Sequence, residues 1–126
     1  MNDNERAERN RELVLHCFAE VDKGNLEPLR ALLHKDFLEH GPGNPSGRDA
    51  FVQFIADSGM TEARLDMKRA IADHDHVVVH YNLVPPGEER GMAVVDILRF
   101  VDDKIVEHWD VVQPVPEPDQ VPHGMF

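Results

Sequence analysis

The segment 91–113 constrains the fold of this chain more than any other part of the sequence. Two runs rich in β-branched and aromatic residues, 92–101 and 105–112, flank the polar residues 102–104. Such runs around a polar tip are typical of a long β-hairpin. Charged residues nevertheless interrupt the apolar runs at Asp96, Arg99, His108 and Asp110. A strand in a small domain normally alternates a core face with a solvent face, so ionisable groups within otherwise apolar runs are unusual.

The register of the hairpin decides which charges meet, and two registers are open. A three-residue loop with Asp103 left-handed pairs Asp96 with His108, whereas a two-residue loop pairs Asp96 with Trp109. We favour the first, because it surrounds a histidine and two carboxylates with aliphatic neighbours. One face then carries Val94, Asp96, Leu98, Val106, His108 and Asp110.

Length and charge limit the classes of function. A chain of 126 residues fits one domain with a real core. Its formal charge of −11 argues against binding to nucleic acid or to an anionic membrane surface. Cys17 is the only cysteine, so an intrachain disulfide and a cysteine zinc site are excluded. With no apolar run of membrane-spanning or secretory length, we expect a soluble cytoplasmic protein with a small partner.

Apolar residues at steps of three and four predict three helices in the first half of the chain. The first runs from about residue 5 to 21, and the second from about 26 to 33 with His34 at its C-terminal end. Ser46 and Asp49 form a capping-box-like start for the third, which Gly59 ends. Between them, three glycines and two prolines within residues 36–47 indicate a loop that carries His40, at most at a short strand end.

After residue 62 the apolar residues recur at every second position, which predicts strands over 63–72 and 77–84. His80 falls on the same face as Val78 and Asn82, and residues 73–76 form a solvated turn. The proline-rich tail 114–126 is expected to be extended. Three helices followed by four antiparallel strands predict an α+β domain with the helices on one face of a curved sheet. The open end of such a cone is a pocket.

Two segments, FLEHGPGNPSGRDAF and AVVDILRFVDDKIVEHWDVVQPVP, carry a resemblance to a known family. They resemble the SnoaL-like polyketide cyclases of the nuclear transport factor 2-like superfamily, and the similarity spans nearly the whole chain, 1–126, as one domain. It implies a cone-shaped, cystatin-like α+β barrel wrapped around three N-terminal helices. It also implies aldol cyclisation or isomerisation of a small apolar carbonyl or cyclic substrate, without metal or organic cofactor, by a homodimer.

The resemblance assigns roles to particular residues. Asp110 matches the aspartate that acts as acid and base, and Asp96 matches a polar pocket residue on the preceding strand. His40 matches a loop histidine that the wider group commonly follows with Asn and Pro, whereas Gly41 and Pro42 follow here. The superfamily fold also hosts dehydratases, hydrolases and non-catalytic binding or dimerisation modules, so these remain alternatives.

We therefore predict a catalytic group in an apolar pocket. Desolvation and mutual repulsion raise the pKa of one of two close carboxyls, which can then move a proton α to a carbonyl. The predicted catalytic residues are Asp96, His108 and Asp110, and the predicted pocket residues are His40, His80, Phe18, Phe37, Phe54 and Tyr81. Two other interpretations exist. Asp96 or Asp110 could have a structural role, either paired with Arg99 or in a dimer interface built from the outer face of the sheet, and His40, His80, His108 and Asp96 could form a metal site.

Overall fold

The computed structural model describes residues 1–126 and shows a five-stranded sheet with three helices packed on one face. The helices are α1 (Asp3–Asp22), α2 (Glu27–Leu32) and α3 (Arg48–Asp57), and the strands are β1 (Leu33–Glu39), β2 (Arg64–Ala72), β3 (His76–Val84), β4 (Met92–Val101) and β5 (Lys104–Pro114). The strand order is β1-β5-β4-β3-β2, with β1 parallel to β5 and the other pairs antiparallel. The predicted α+β class, with a curved sheet around three helices, is confirmed.

Helix α1 is stabilised by a cap at its N-terminus and by an apolar stripe along one face. The Asn2 side chain accepts a hydrogen bond from the backbone N–H of Glu5 at 2.8 Å, which satisfies one of the free donors of the first turn. Val14, Cys17 and Val21 are buried along one face. That face packs on the inner surface of the sheet, so the helix forms one wall of the cone. None of the helices combines the length and the apolar content that crossing a bilayer requires.

Strand β1 corrects the prediction for residues 33–47. The chain leaves α2 directly into a strand at Leu33, and His34 lies in this strand instead of at the end of a helix. Helix α3 is capped by Gly47 at φ +90°, while the Ser46 hydroxyl accepts from the backbone N–H of Glu39 at 3.0 Å, so the capping-box prediction is wrong. The strand forms because its partner is β5, a contact between segments about 70 residues apart that local sequence does not reveal.

The β4–β5 hairpin combines features of both predicted registers. Asp102 and Asp103 are both left-handed, at φ 49° and 63°, and close a two-residue loop. A bulge then leaves Val106 without a partner, so Asp96 pairs with Asp110 and not with His108 or Trp109. Both predicted pairings are therefore wrong. The bulge shifts the register by one residue, which returns Asp96, His108 and Asp110 to one face.

The two faces of the sheet differ in what covers them. The inner face packs against the helices through side chains such as Val77, Val79 and Phe100. On the outer face, the C-terminal tail runs back to β3, where the Phe126 ring lies 5.2 Å from the His80 ring. The tail contains a short 3-10 helix, Pro118–Gln120. It therefore lies on the side of the sheet away from the helices.

Candidate functional site

An apolar cavity of about 310 Å³ lies between the helices and the inner face of the sheet. Nineteen of its 26 lining residues are hydrophobic, so it suits a largely apolar ligand. The structure places Phe18, Phe37, Phe54 and Tyr81 in its wall, where the sequence analysis expected pocket residues. The two walls thus come from distant parts of the chain, the helices on one side and strands β1 and β3 to β5 on the other.

One end of this cavity is polar, and the three predicted catalytic residues meet there. Asp96, His108 and Asp110 all line the cavity, and each offers a side-chain atom within 4.8 Å of the others. Asp96 and Asp110 are cross-strand partners, and His108 lies two residues before Asp110 on the same face. Asp96 and His108 are buried, whereas Asp110 is partly exposed towards the cavity.

Glu39 belongs to the same cluster and was missed by the sequence analysis. Both of its carboxylate oxygens lie 2.8 Å from Nδ1 of His108, and its side chain is 0% exposed. Its position at the end of β1 follows that of Phe37 by two residues, which puts both side chains on the inner face. This alternation was the available signal, and the glycines and prolines that follow obscured it.

The buried polar groups form one hydrogen-bonded chain, Glu39–His108–Asp96–Tyr81. Nδ1 of His108 donates to Glu39, Nε2 donates to Oδ1 of Asp96 at 2.9 Å, and the Tyr81 hydroxyl donates to Oδ2 of Asp96 at 2.8 Å. Burial by itself lowers the pKa of His108, but the hydrogen bonds and charges of Asp96 and Glu39 outweigh it and raise the pKa to about 10. The imidazolium is thus the form held between two carboxylates at neutral pH.

Asp110 differs from the other carboxyls because it makes none of these hydrogen bonds. Desolvation raises its pKa above the ordinary value, and the nearby charge of Asp96 raises it further, while His108 opposes the shift. Burial and the charge of Asp96 likewise raise the pKa of Tyr81 well above its usual range, so the phenol stays a donor. Asp110 is therefore the carboxyl that remains available to a ligand.

The loop after β1 brings two further groups to Asp110. A Cβ on Gly41 would stand 2.8 Å from Oδ1 of Asp110 and 2.6 Å from Nδ2 of Asn44, so only glycine leaves room there. The backbone N–H of Gly41 donates to Oε1 of Glu39 at 2.8 Å, which ties the loop to the buried cluster. Asn44 lines the cavity. An asparagine thus reaches the pocket although the Asn–Pro pair does not directly follow the loop histidine.

His40 and His80 lie outside the cavity, which corrects their expected placement in the pocket. His80 shares the outer face with Val78, as the alternation along β3 requires, and contacts the ring of Phe126. His40 follows Glu39, so its side chain takes the opposite direction; its ring stacks on Trp109 at 4.9 Å, and Nε2 lies 2.7 Å from Glu107. The four-residue metal set that includes both histidines is therefore not assembled.

Arg99 also lies away from the cavity and pairs with Glu107, with 2.9 Å between Nε and Oε1. It is thus an ion-pair partner on the outer face and does not neutralise Asp96 or Asp110. The hydrogen bond from His40 and the contact with Arg99 lower the pKa of Glu107. This outer cluster is separated from the cavity by the sheet itself.

The spacing of Asp96, His108 and Asp110 would also allow three ligands to reach one metal ion. Both ring nitrogens of His108 are, however, engaged by carboxylates, and its pKa of about 10 favours the protonated ring. A metal ligand must be the neutral imidazole, so binding here would have to displace a proton from a strongly stabilised imidazolium. The donor set therefore suits proton chemistry better than metal binding.

Comparisons with known proteins identify the family. A sequence profile of the SnoaL-like domain matches residues 14–108. No curated protein matches the chain. Among solved structures, a candidate ketosteroid isomerase from Kribbella flavida aligns over 91% of this chain and 88% of its own, with a TM-score of 0.75 and 22% identity.

Two other structures show the same architecture. A nuclear transport factor 2-like protein of unknown function from Burkholderia xenovorans aligns over 94% of this chain and 97% of its own, with a TM-score of 0.80 and 17% identity. A candidate SnoaL-like polyketide cyclase from Jannaschia aligns over 90% and 91%, with a TM-score of 0.73 and 18% identity. At sequence identities this low, the structural matches establish a shared fold and no shared activity. The profile match covers most of the chain, and the protein therefore belongs to the SnoaL-like domain family.

Proposed function

We propose that this protein is a cofactor-independent enzyme that moves a proton at the carbon α to a carbonyl, as in aldol cyclisation or isomerisation. One observation carries the proposal: Asp110, a carboxyl with a raised pKa and no part in the hydrogen-bonded chain, faces an apolar cavity beside a buried imidazolium. A general base is most effective when its pKa lies near the working pH. The pKa of Asp110 is shifted in that direction.

Each group in the cluster has a distinct part in the proposed reaction. The carboxylate of Asp110 removes the α-proton and later returns it to the substrate. Negative charge then develops on the carbonyl oxygen, and the Asn44 amide, whose Nδ2 faces the same position near Gly41, is the available donor to that oxygen. The positive charge of His108 offsets part of the negative charge of Glu39 and Asp96, which would otherwise oppose formation of the enolate.

Glu39, Asp96 and Tyr81 act indirectly in this scheme. Glu39 and Asp96 hold the two ring N–H groups of His108, and the Tyr81 hydroxyl holds Asp96. Because both ring nitrogens are occupied, His108 supplies charge and does not itself carry the proton to the substrate. This assignment changes the order of importance among the three predicted catalytic residues, with Asp110 as the base and Asp96 as a positioning residue.

The test is deuterium exchange at the α-carbon, followed by ¹H NMR in D₂O for a panel of ring-bearing ketones and β-keto compounds. The wild-type protein should accelerate exchange for at least one ketone, and Asp110→Asn should slow it by about 10²-fold or more. Asp119→Asn is the matched control, because it removes the same charge at an exposed position in the tail. Equal rates for Asp110→Asn and the wild type, in a variant shown to be folded, would contradict the proposal.

The same assay separates the two alternatives. A non-catalytic binding module of this fold would bind a ketone without accelerating exchange. A dehydratase begins with the same α-proton removal, so a β-hydroxy ketone in the panel would lose water and reveal that activity. A cytoplasmic location and a homodimer, both expected from the sequence, stay predictions.

A further inference from the structure

Two consecutive residues at the end of β1 hold β5 from both sides of the sheet. On the inner side, the Glu39 carboxylate accepts from Nδ1 of His108. In the plane of the sheet, the backbone N–H of His40 donates to the carbonyl oxygen of His108 at 2.9 Å. On the outer side, the His40 ring contacts Trp109 and Glu107, the two residues that flank His108. The end of β1 is therefore attached to the strand of the catalytic cluster by contacts on opposite faces.

The His40 ring is fixed at its face and at its edge. It lies parallel to the Trp109 ring, with 3° between the planes and 4.9 Å between the centroids, a separation that implies an offset stack. Its Nε2–H donates to Oε2 of Glu107 at 2.7 Å, and the other oxygen of Glu107 accepts from Nε of Arg99 at 2.9 Å. The Glu107 side chain is only 16% exposed, so water competes weakly for these hydrogen bonds. A histidine that is 44% exposed is thus held in one orientation.

The loop that follows His40 depends on its two ends for its position. At its start, the backbone of His40 is bonded to β5, and at its far end the backbone N–H of Gly47 donates back to β1 at 2.9 Å. Between these ends, the N–H of Asn44 donates to the carbonyl oxygen of Gly41, within the loop itself. Gly41 comes directly after His40 and lies against both Asn44 and Asp110. A rotation of the backbone at His40 would therefore displace Asn44 relative to Asp110.

We infer that His40 and Trp109 are positioning residues of the site, although neither lines the cavity. Their stack on the outer face fixes the backbone at the end of β1, and with it the loop that places Asn44 beside Asp110. The inference deepens the proposed function, since it assigns two further residues to the same reaction, and it rests on that function for its rate measurements. A stack that served stability alone would leave the polar end of the cavity unchanged when it is lost.

Three variants separate positioning from a purely structural role. His40→Ala removes the stack and the hydrogen bond to Glu107, whereas His40→Phe keeps a ring that can stack on Trp109. His34→Ala is the matched control, because it removes an exposed histidine of the same strand whose ring accepts the backbone N–H of Asp36. Circular dichroism establishes that each variant is folded. Trp109 is the only tryptophan, so its fluorescence reports the stack directly and should change in His40→Ala but not in His34→Ala.

In the α-deuterium exchange assay, His40→Ala should lower kcat about tenfold or more and change KM by less than about threefold. The apolar wall that binds a ketone is untouched by this substitution, whereas the donor and the base near the reacting carbon lose their alignment. His40→Phe should recover kcat to within about threefold of the wild type, because the stack positions the backbone. A wild-type kcat in folded His40→Ala, an equal loss in His34→Ala, or no recovery in His40→Phe would overturn the inference.

A second measurement does not depend on turnover. The side-chain amide of Asn44 and the carboxyl of Asp110 are followed by NMR in the ligand-free protein. Both signals should shift in His40→Ala, and the titration of Asp110 should move down, because a displaced loop admits water to a carboxyl whose pKa is raised by desolvation.

The NMR and fluorescence results separate the two proposals. These shifts without deuterium exchange by the wild type would refute the proposed function and leave the positioning intact. Unchanged Asn44 and Asp110 signals, or unchanged Trp109 emission, in His40→Ala would refute the positioning even if the wild type exchanges ketones.

Discussion

The carboxylate of Glu39 holds Nδ1 of His108 through both oxygens, at 2.8 Å each. This contact joins the end of β1 to the middle of β5 and is completely shielded from solvent on the Glu39 side. The same carboxylate accepts the N–H of Gly41. Glu39 therefore fixes both the charge of His108 and the loop that lies against Asp110.

Glu39→Gln should lower the pKa of His108, because an amide cannot stabilise the imidazolium as a carboxylate does. The titration of His108, followed by NMR, should move downward by at least one unit, and α-deuterium exchange should slow about tenfold. Glu8→Gln, which changes an exposed residue of α1, is the control. An unchanged His108 titration in Glu39→Gln would contradict the role given to this contact.

Gly41→Ala should disturb Asp110 without altering any charge. The new Cβ would lie closer to Asp110 Oδ1 and Asn44 Nδ2 than carbon atoms normally approach, so at least one of the two side chains must move. We expect deuterium exchange to fall by at least tenfold while the fold is retained, as judged by circular dichroism. Gly43→Ala in the same loop meets no atoms within 4 Å but has φ +82°, so it controls for loop strain alone. Equal rates of deuterium exchange in Gly41→Ala and Gly43→Ala would contradict the steric argument.

The free energy of unfolding should decrease as the pH rises from neutrality towards 10. The pKa of His108 is about 10 in the folded chain and ordinarily 6.5, so protonation favours the folded state. This stabilisation is complete below about pH 6.5 and is lost as the pH passes through the folded pKa. Urea titrations should show a loss on the order of a few kcal/mol in the wild type.

His108→Gln isolates this contribution, since it removes the titrating group and keeps hydrogen-bonding capacity. Its free energy of unfolding should depend less on pH over the same interval than that of the wild type. Desolvation also raises the pKa of Asp110, but this carboxyl is retained in both proteins, so the comparison isolates the group that is removed. If the free energy of unfolding fell equally with pH in both proteins between neutrality and pH 10, His108 would not be the source of the pH dependence.

The outer face of the sheet is where we predict that two copies associate. Val111 on β5 is 66% exposed and Leu38 on β1 is 53% exposed, although both are apolar. Val111→Glu should therefore shift a dimer towards monomer in light-scattering measurements. Ala56→Glu adds the same charge to the exposed side of α3 and should not. A wild-type protein that is monomeric at all accessible concentrations would refute the prediction.

The sequence by itself determined the helix α1 and the strands β2 to β5, and it singled out Asp96, His108 and Asp110 as the ionisable groups within the apolar runs of the hairpin. These features depend on the local spacing of apolar residues, which can be read from neighbouring positions in the sequence. The pocket side chains Phe18 and Tyr81 follow from the same reasoning, because each belongs to an apolar stripe of its element.

Only the tertiary structure decided how these elements meet at the site. Strand β1, and with it Glu39, exists because the chain pairs in parallel with β5, a contact whose free energy depends on residues about 70 positions away. The cross-strand pairing of Asp96 with Asp110 results from one unpaired residue, Val106, in a bulge. Such long-range pairings and single-residue shifts leave no local pattern, because their stability comes from burying the finished cluster as a whole.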